Sequence, residues 1–340
     1  MDTVTIKMLA RELNLSTAAV SKALSDSHEI SESTKLRVQE LASKLNYIPN
    51  AYAGSLRRRK SNTIAVVLPA VADSFFSQAI NGIESVAEKK GYHVLIYLTH
   101  ESFAREEAIL KDFQSGRVDG ILLSLTAETN SYRHITGLTE KNIAPVVFFD
   151  RVCDEIETAK IVTNDFESSY QATRHLIDCG CRKIEMLSIS NHLSISTQRH
   201  AGYKQALLDA AVSYDPVNHL FTGNDPASDA VLLKQVLGKK DRPDGILATV
   251  EKLATAVYMS CKESGLVIPR DLKIVGFSNL SSAAILNPSL TTITQPAFDI
   301  GKAAAAILFD VLEKKNFNLG KAPTVLPSEL IIRGSTIAGN

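Results

Sequence analysis

The sequence predicts an all-α head followed by a larger α/β core of two lobes, on three observations. Residues 1–60 show helical apolar spacing and carry ten Lys/Arg against six Asp/Glu, a balance of +4, which leaves −4 on the remainder of a chain whose net charge is zero. From Thr63 onward, short unalternated apolar runs take turns with amphipathic stretches, the pattern of a parallel sheet covered on both faces. Asp119-Gly120-Ile121-Leu122 returns 125 positions later as Asp244-Gly245-Ile246-Leu247, which suggests two halves of like topology.

Composition narrows the class. At 340 residues the chain exceeds one ordinary core, and 45% hydrophobic with 22% charged residues excludes a disordered chain. The N-terminus has no basic-then-apolar leader, and no apolar run nears the ~18 residues of a membrane span, so a cytoplasmic location is expected. Cys153, Cys179, Cys181 and Cys261 lack the paired spacing of a zinc site and read as plain thiols; no metal or cofactor is expected. A basic head on an acidic body suits a head that meets phosphate.

The elements follow in order. Thr5 is placed to cap a first short helix with Met8, Leu9, Ala10 and Leu13 on its apolar face. Asn14-Leu15-Ser16 makes a turn, and Ser16 caps a second helix whose buried side is Val20, Ala23 and Leu24. Thr17, Ala18, Ser21 and Lys22 then face outward near the helix start, where a recognition helix meets base edges. A third helix from Ser31 carries Val38, Leu41, Ala42 and Leu45 as its stripe. Tyr47-Ile48-Pro49-Asn50 ends the bundle because Pro49 disfavours helix at Ile48. Ala51–Leu56 is too short to be helical alone and reads as a segment that folds on binding. Leu56 directly before Arg57-Arg58-Arg59-Lys60 has the pattern of a minor-groove wedge beside a phosphate-neutralising flank.

These residues resemble the lactose/galactose-repressor family of bacterial transcription factors. The likeness is carried by Thr5-Ile6-Lys7, Ser16 to Lys22, Leu45 to Asn50, Ala53-x-Ser55-Leu56 and Leu326 to Thr336, so it spans about Thr3 to Thr336. The resemblance implies a homodimer, or a higher homo-oligomer, on a pseudo-palindromic double-stranded operator whose central step the paired hinge leucines wedge open. It implies Thr17, Ala18 and Lys22 as base readers, and Ser16, Ser21 and Asn50 as phosphate or hinge contacts, with Thr5, Tyr47, Ala53 and Leu56 completing the DNA-binding set. Lys22 stands where Arg is usual, which weakens bidentate reading of guanine, and Gly54 stands where Arg is common.

In the core, helix is expected over Phe75–Lys90, Ser168–Cys179, Arg199–Ala211 and Ile300–Lys314. Strands are expected at Ile64–Leu68, Val94–Leu98, Asp119–Leu123, Pro145–Asp150, Ile184–Ile189, Ile274–Phe277 and Glu329–Ile332, with the pattern restarting at Ile161. The resemblance implies a type I periplasmic-binding-protein-like core whose chain crosses between lobes three times. The expected domains are a helix-turn-helix unit over 1–49, a hinge over 50–61 and an effector-binding and dimerisation core over 62–340. Lobe 1 would take 62–161 and 294–322, and lobe 2 would take 162–293 and 323–340.

Ligands of open α/β sheets sit at the carboxyl ends of strands, which places a small-molecule effector between the lobes. Ala70, Phe75, Phe76 and Asp150 are strand-end candidates, the aromatics for stacking on a sugar or base ring. Arg199, opening a helix in Arg199-His200-Ala201-Gly202-Tyr203, resembles the family's effector-binding Arg. The family's Val-Gly-Phe-Asp-Asp reads Val275-Gly276-Phe277-Ser278-Asn279 and its Asn/Thr-Asp reads Val250-Glu251, so Val250 and Ser278 replace two polar groups with an apolar chain and a hydroxyl. An effector carrying an acidic group opposite Arg199 is one expectation that follows. A plain solute-binding protein is opposed by the basic head and missing leader. An enzyme is opposed by the lack of a nucleophile elbow, phosphate-cradling glycine loop or metal cluster, and by dispersed histidines.

Overall fold

The computed structural model describes residues 4–47, 60–141, 143–222, 225–314 and 322–337. The chain divides into two units, Met1–Lys60 and Ser61–Asn340.

In the first unit, α1 (Ile6–Glu12), α2 (Thr17–Leu24) and α3 (Glu32–Lys44) enclose Leu9, Ala10, Val20, Ala23, Val38 and Ala42. Thr5 Oγ1 accepts from the Met8 amide at 3.4 Å and Ser16 Oγ from the Ala19 amide at 3.1 Å, which satisfies donors that a helix start leaves open. Each helix ends the same way. Asn14, Asp26 and Asn46 take positive φ of 55°, 54° and 50°, and the next amide reaches back to the carbonyl of Ala10, Lys22 and Ala42. These are Schellman closures made with Asn or Asp instead of Gly. Met8, expected on the apolar face, is 44% exposed; Leu9 and Ala10 already fill the narrow side facing α2 and α3. Lys35 is buried on α3, its ammonium 2.7 Å from both Asp26 and Glu32. The predicted hinge, with Asn50, Ala53 and Leu56, lies outside the described residues.

The second unit holds two six-stranded sheets. The first lobe contains β1 (Thr63–Leu68), α4 (Ser74–Ala87), β2 (His93–Leu98), α5 (Phe103–Phe113), β3 (Gly120–Leu123), α6 (Arg133–Thr139), β4 (Val146–Phe149) and β5 (Lys160–Thr163). The second contains α7 (Asp165–Asp178), β6 (Ile184–Ser188), α8 (Ser194–Asp209), β7 (His219–Phe221), α9 (Pro226–Leu237), β8 (Gly245–Ala248), α10 (Glu251–Ser264), β9 (Lys273–Phe277) and β10 (Thr291–Thr294). The chain returns to the first lobe as α11 (Ala297–Lys314) and β11 (Thr324–Leu326), then ends in the second with β12 (Glu329–Ile331). Strand order is β11-β5-β4-β3-β1-β2 and β12-β10-β9-β8-β6-β7; among the described residues only the β10–β12 pair is antiparallel.

Three crossings therefore join the lobes, as the resemblance implies, but the expected bounds move. The first lobe keeps its strand through Thr163 and the second keeps Thr291–Thr294. β11, expected in the second lobe, pairs with β5 in the first. Backbone pairing decides membership, and the apolar pattern of Thr324–Leu326 carries no mark of which edge it joins. Expected coverage on both faces also fails at the edge strand β2, where Leu95 and Ile96 are 41% and 44% exposed.

The repeated Asp-Gly has a structural reason. Asp119 accepts from the amides of Ser61 and Asn62 at 2.7 and 2.9 Å, and Asp244 from those of Arg182 and Lys183 at 2.8 and 2.9 Å. In each lobe the carboxylate fixes the chain entering the strand beside its own. A Cβ on the following Gly120 or Gly245 would stand 2.8 Å from the Leu308 side chain or 2.9 Å from that of Cys181, so a side chain at either would require its neighbour to shift.

Candidate functional site

In the first unit the outward residues of α2 fall where the sequence puts them. Thr5, Ser16, Thr17, Ala18 and Ser21 are exposed, and Tyr47 is half-buried at the end of the bundle. Lys22 is not free on that surface, because its ammonium is paired with Glu29.

In the second unit the carboxyl ends of the central strands converge on a crevice enclosing about 330 Å³ of space, open solvent included. The first lobe contributes Asp73, Phe75, Phe76, Asp150 and Arg151. The second contributes Ile195, Arg199, Thr249, Val250, Glu251, Phe277, Ser278 and Asn279, and Gln295 comes from the second crossing.

Each wall has a local cause. Asp73 caps α4, its Oδ1 accepting from the Phe75 amide at 2.9 Å, which turns the first helical residues toward the crevice. Phe75 and Phe76 pack edge-on at 5.3 Å, and Phe76 meets Phe149 at 6.4 Å, so both rings belong to the lobe core and to the crevice wall. Ala70 is not part of the wall: it is half-buried in the turn after β1, and the chain reaches the crevice only at Asp73.

Arg199 does not open its helix; α8 begins at Ser194, which places Arg199 in the second turn. It is 2% exposed, donates from Nε to Asp165 Oδ1 at 2.6 Å and from Nη1 to the Thr249 carbonyl, and lies 4.0 Å over the Phe277 ring. Its Nη2 has no partner among the described residues. Such a buried donor carries a desolvation cost until something accepts from it. The spacing to Gly202 is equally local. A Cβ there would fall 2.1 Å from the Phe166 carbonyl, so the glycine lets α8 lie directly on α7, and Ser169 Oγ then reaches the Arg199 carbonyl at 2.5 Å.

Val250 precedes α10 and lines the crevice with an apolar side chain. Ser278 does not present a free hydroxyl, because it donates to Glu251 Oε2 at 2.8 Å. The Asn279 amide reaches the same oxygen at 3.2 Å, while Oε1 accepts from the Ser74 amide and hydroxyl at 3.1 and 2.8 Å. Reading Val250-Glu251 as a lost polar group therefore missed the principal acceptor of the crevice. No local sequence signal marks it, because Ser74, one of the residues that converge on it, lies 177 positions away.

The electrostatics run against an anionic ligand. Arg199 is neutralised by Asp165 and Arg151 by Glu101 at 2.8 Å, and Asp73, Asp150 and Glu251 add three further carboxyl groups. Burial pushes Asp150 up to about 7 despite Arg151 and Arg199 nearby, and pushes Asp73 above its ordinary value, helped by Glu251. Asp165 is also raised, since burial outweighs its Arg199 partner. An acidic group opposite Arg199 would meet a guanidinium whose Nε is held by Asp165 and whose Nη2 alone is left to donate, within a surround of carboxyl groups.

Among the described residues no group of three His, Cys, Asp or Glu is placed to hold a metal ion, and no helix is long and apolar enough to cross a membrane. All four cysteines are free.

Comparisons with known proteins agree with both units. Residues 5–50 match the model for bacterial regulatory proteins of the lacI family, and residues 173–336 that for a periplasmic binding protein-like domain. The HTH-type transcriptional repressor CytR of Escherichia coli strain K12 is 30% identical over 337 residues, covering 98% of this chain and 96% of that one. A lac repressor dimer bound to operator and the anti-inducer ONPF superposes with a TM-score of 0.83 at 22% identity, covering 99% of this chain and 100% of that one. A LacI family regulator from Enterococcus faecium with bound ribose gives 0.71 at 26% identity over 82% of this chain and 100% of that one. With a three-helix head, a two-lobed core crossed three times and a full-length relative at this identity, the chain belongs to the LacI/GalR family of bacterial transcriptional regulators.

Proposed function

We propose that the chain is a cytoplasmic, non-enzymatic repressor that binds a pseudo-palindromic operator as a homodimer, its grip controlled by a small molecule in the crevice between the lobes. The observation that carries this reading is the unpartnered Nη2 of the buried Arg199 in a ring-lined polar crevice, in a chain headed by a helix-turn-helix. The effector is a sugar or sugar derivative that is uncharged or cationic. The hydrogen-bonding rim, the Phe75, Phe76 and Phe277 rings and the excess of carboxyl groups support that class, as does the ribose held by the Enterococcus faecium regulator. Phe75, Phe76, Asp150, Arg199 and Val250 line its site, with Ser278 reaching it once freed from Glu251. The exposed Leu95 and Ile96 on the unpaired edge of β2 support association with a second copy.

On the DNA, Thr17, Ala18 and Lys22 read bases while Thr5, Ser16, Ser21, Tyr47 and Asn50 hold phosphate or hinge geometry. Ala53 and Leu56 form the minor-groove wedge. A mobility shift on a palindromic probe at two salt concentrations tests the reading. Specific binding that falls steeply with salt and weakens in Leu56→Ala is expected. Binding indifferent to both salt and Leu56 would sink it. A thermal-shift screen of neutral sugars, nucleosides, amino sugars and sugar acids then identifies the effector class, with stabilisation by sugar acids alone counting against an uncharged or cationic effector.

A further inference from the structure

Glu251 ties the two walls of the crevice together. Its Oε1 is bound by the amide and hydroxyl of Ser74 in the first lobe, and its Oε2 by Ser278 Oγ and the Asn279 amide in the second. One turn further along α4, Gln78 exchanges two hydrogen bonds with Asn279: its Nε2 donates to the Asn279 carbonyl at 3.2 Å and its Oε1 accepts from Asn279 Nδ2 at 3.1 Å. Ser74 and Gln78 are four residues apart, so both point from one helical face toward the second lobe. Asn279 also holds the second crossing, donating from Nδ2 to the Gln295 carbonyl at 2.6 Å and accepting the Gln295 amide on Oδ1 at 3.1 Å. Gln295 in turn lies 3.5 Å from Thr163 at the first crossing.

We propose that Glu251 and Asn279 form an internal latch that holds the two lobes closed without effector, and that an effector opens or reshapes the crevice by taking Glu251's place between Ser74 and Ser278. Glu251 is thus a positioning residue. A carboxylate receiving four hydrogen bonds is fully occupied, and charge-assisted bonds of this kind are about twice as strong as neutral ones. The two bonds from Ser74 and the two between Gln78 and Asn279 are those that cross between the lobes, while Ser278 and the Asn279 amide hold Glu251 in place for them, so closure is cooperative. Because Asn279 is tied to both Gln78 and the crossing at Gln295, opening at the crevice mouth reaches the hinge strands through direct bonds. The latch concerns the unliganded core, while its displacement rests on the effector reading proposed above.

Hydrogen exchange on the full-length chain without added ligand tests it, resolved to the single amides of Ser74 and Asn279, both of which donate to Glu251. Glu251→Ala is expected to raise exchange at both by about tenfold or more, and Glu251→Gln, whose amide nitrogen must face one donor, to raise it at one of the two. The paired variant Ser74→Ala/Gln78→Ala alters only the first lobe, yet should raise exchange at Asn279 in the second by several-fold. Small-angle scattering of Glu251→Ala should show a larger radius of gyration than the unaltered chain. Unchanged exchange at Asn279 in the paired variant, or acceleration spread evenly through the second lobe, overturns the latch. Should Glu251→Ala fail to fold, Glu251→Gln and the paired variant still decide the matter.

Discussion

Asp150 gives the most exacting test of the crevice electrostatics. It is 7% exposed, follows β4 at a positive φ of 60°, and burial holds it at about 7 against an ordinary 3.8. Asp150→Asn removes the charge while keeping the side-chain shape, and Asn tolerates left-handed backbone better than most residues. A carboxyl whose folded-state pKa is raised stabilises the fold fully only below its unfolded value, and that contribution is lost as pH climbs through the folded value. Between pH 5 and pH 7 the loss runs at about 1.4 kcal/mol per pH unit, giving an upper bound near 3 kcal/mol before it levels off. Arg151, Arg199, Asp73 and Asp165 share the same field, so the stability gap in favour of Asp150→Asn should widen by roughly 2 kcal/mol, or ~4 °C in Tm for a core of this size. Burial lowers His200, and lowers His219 to about 4, which gives the opposite slope as pH falls below neutrality. The variant-minus-parent difference at each pH is therefore the quantity to measure, by differential scanning calorimetry from pH 5 to pH 8. A difference that stays flat across that range would falsify the picture of Asp150 as a buried acid neutralised near neutrality.

Three further outcomes follow from the geometry. Arg199→Met leaves Asp165 buried without its cation and should cost about 3 kcal/mol in urea unfolding, of which Asp165→Asn in the same chain restores a part; two independent, additive losses would contradict the pairing. Glu29→Gln releases Lys22 and removes a negative charge beside the reading helix, so operator affinity by fluorescence anisotropy should rise roughly threefold at low salt and converge with the parent at high salt. Gly202→Ala forces α8 away from the Phe166 carbonyl and should lower stability by at least ~2 kcal/mol; a Tm unchanged from the parent would mean the two helices have room that the 2.1 Å approach denies.

Local signals in the sequence were the ones that could be read. Thr5 and Ser16 announce helix starts because a cap bonds only three residues ahead; the strand-end rule brings Phe75, Phe76 and Asp150 to the crevice but misplaces Ala70, and the family resemblance brings Arg199, Val250 and Ser278 there. Glu251 escaped because its partner Ser74 lies 177 positions away in the chain, beyond any periodicity. The Arg199–Asp165 pair and the seat of β11 were hidden for the same reason, each being decided by packing between distant segments. Lys22 was legible as an outward residue but not as the partner of Glu29, seven positions on across a turn.

The return of the chain to its first lobe sets an order of assembly during synthesis. Leu122 and Val147 share a buried cluster with Ile300, Ala304, Ala305 and Leu308 of α11, so that sheet face, covered in part by α4, is not completed until more than 300 residues have been made. The second lobe lies mostly in the continuous stretch from Asp165 to Thr294, and its edge partner β12 and the following Arg333–Thr336 segment, bonded to Ile274 and Thr291, arrive late. The lobe encoded second can thus be mostly built first, while the earlier one waits with a partly open apolar sheet on the emerging chain. Truncations ending near residue 290 should accordingly bind chaperones and aggregate, although most of the sequence is present.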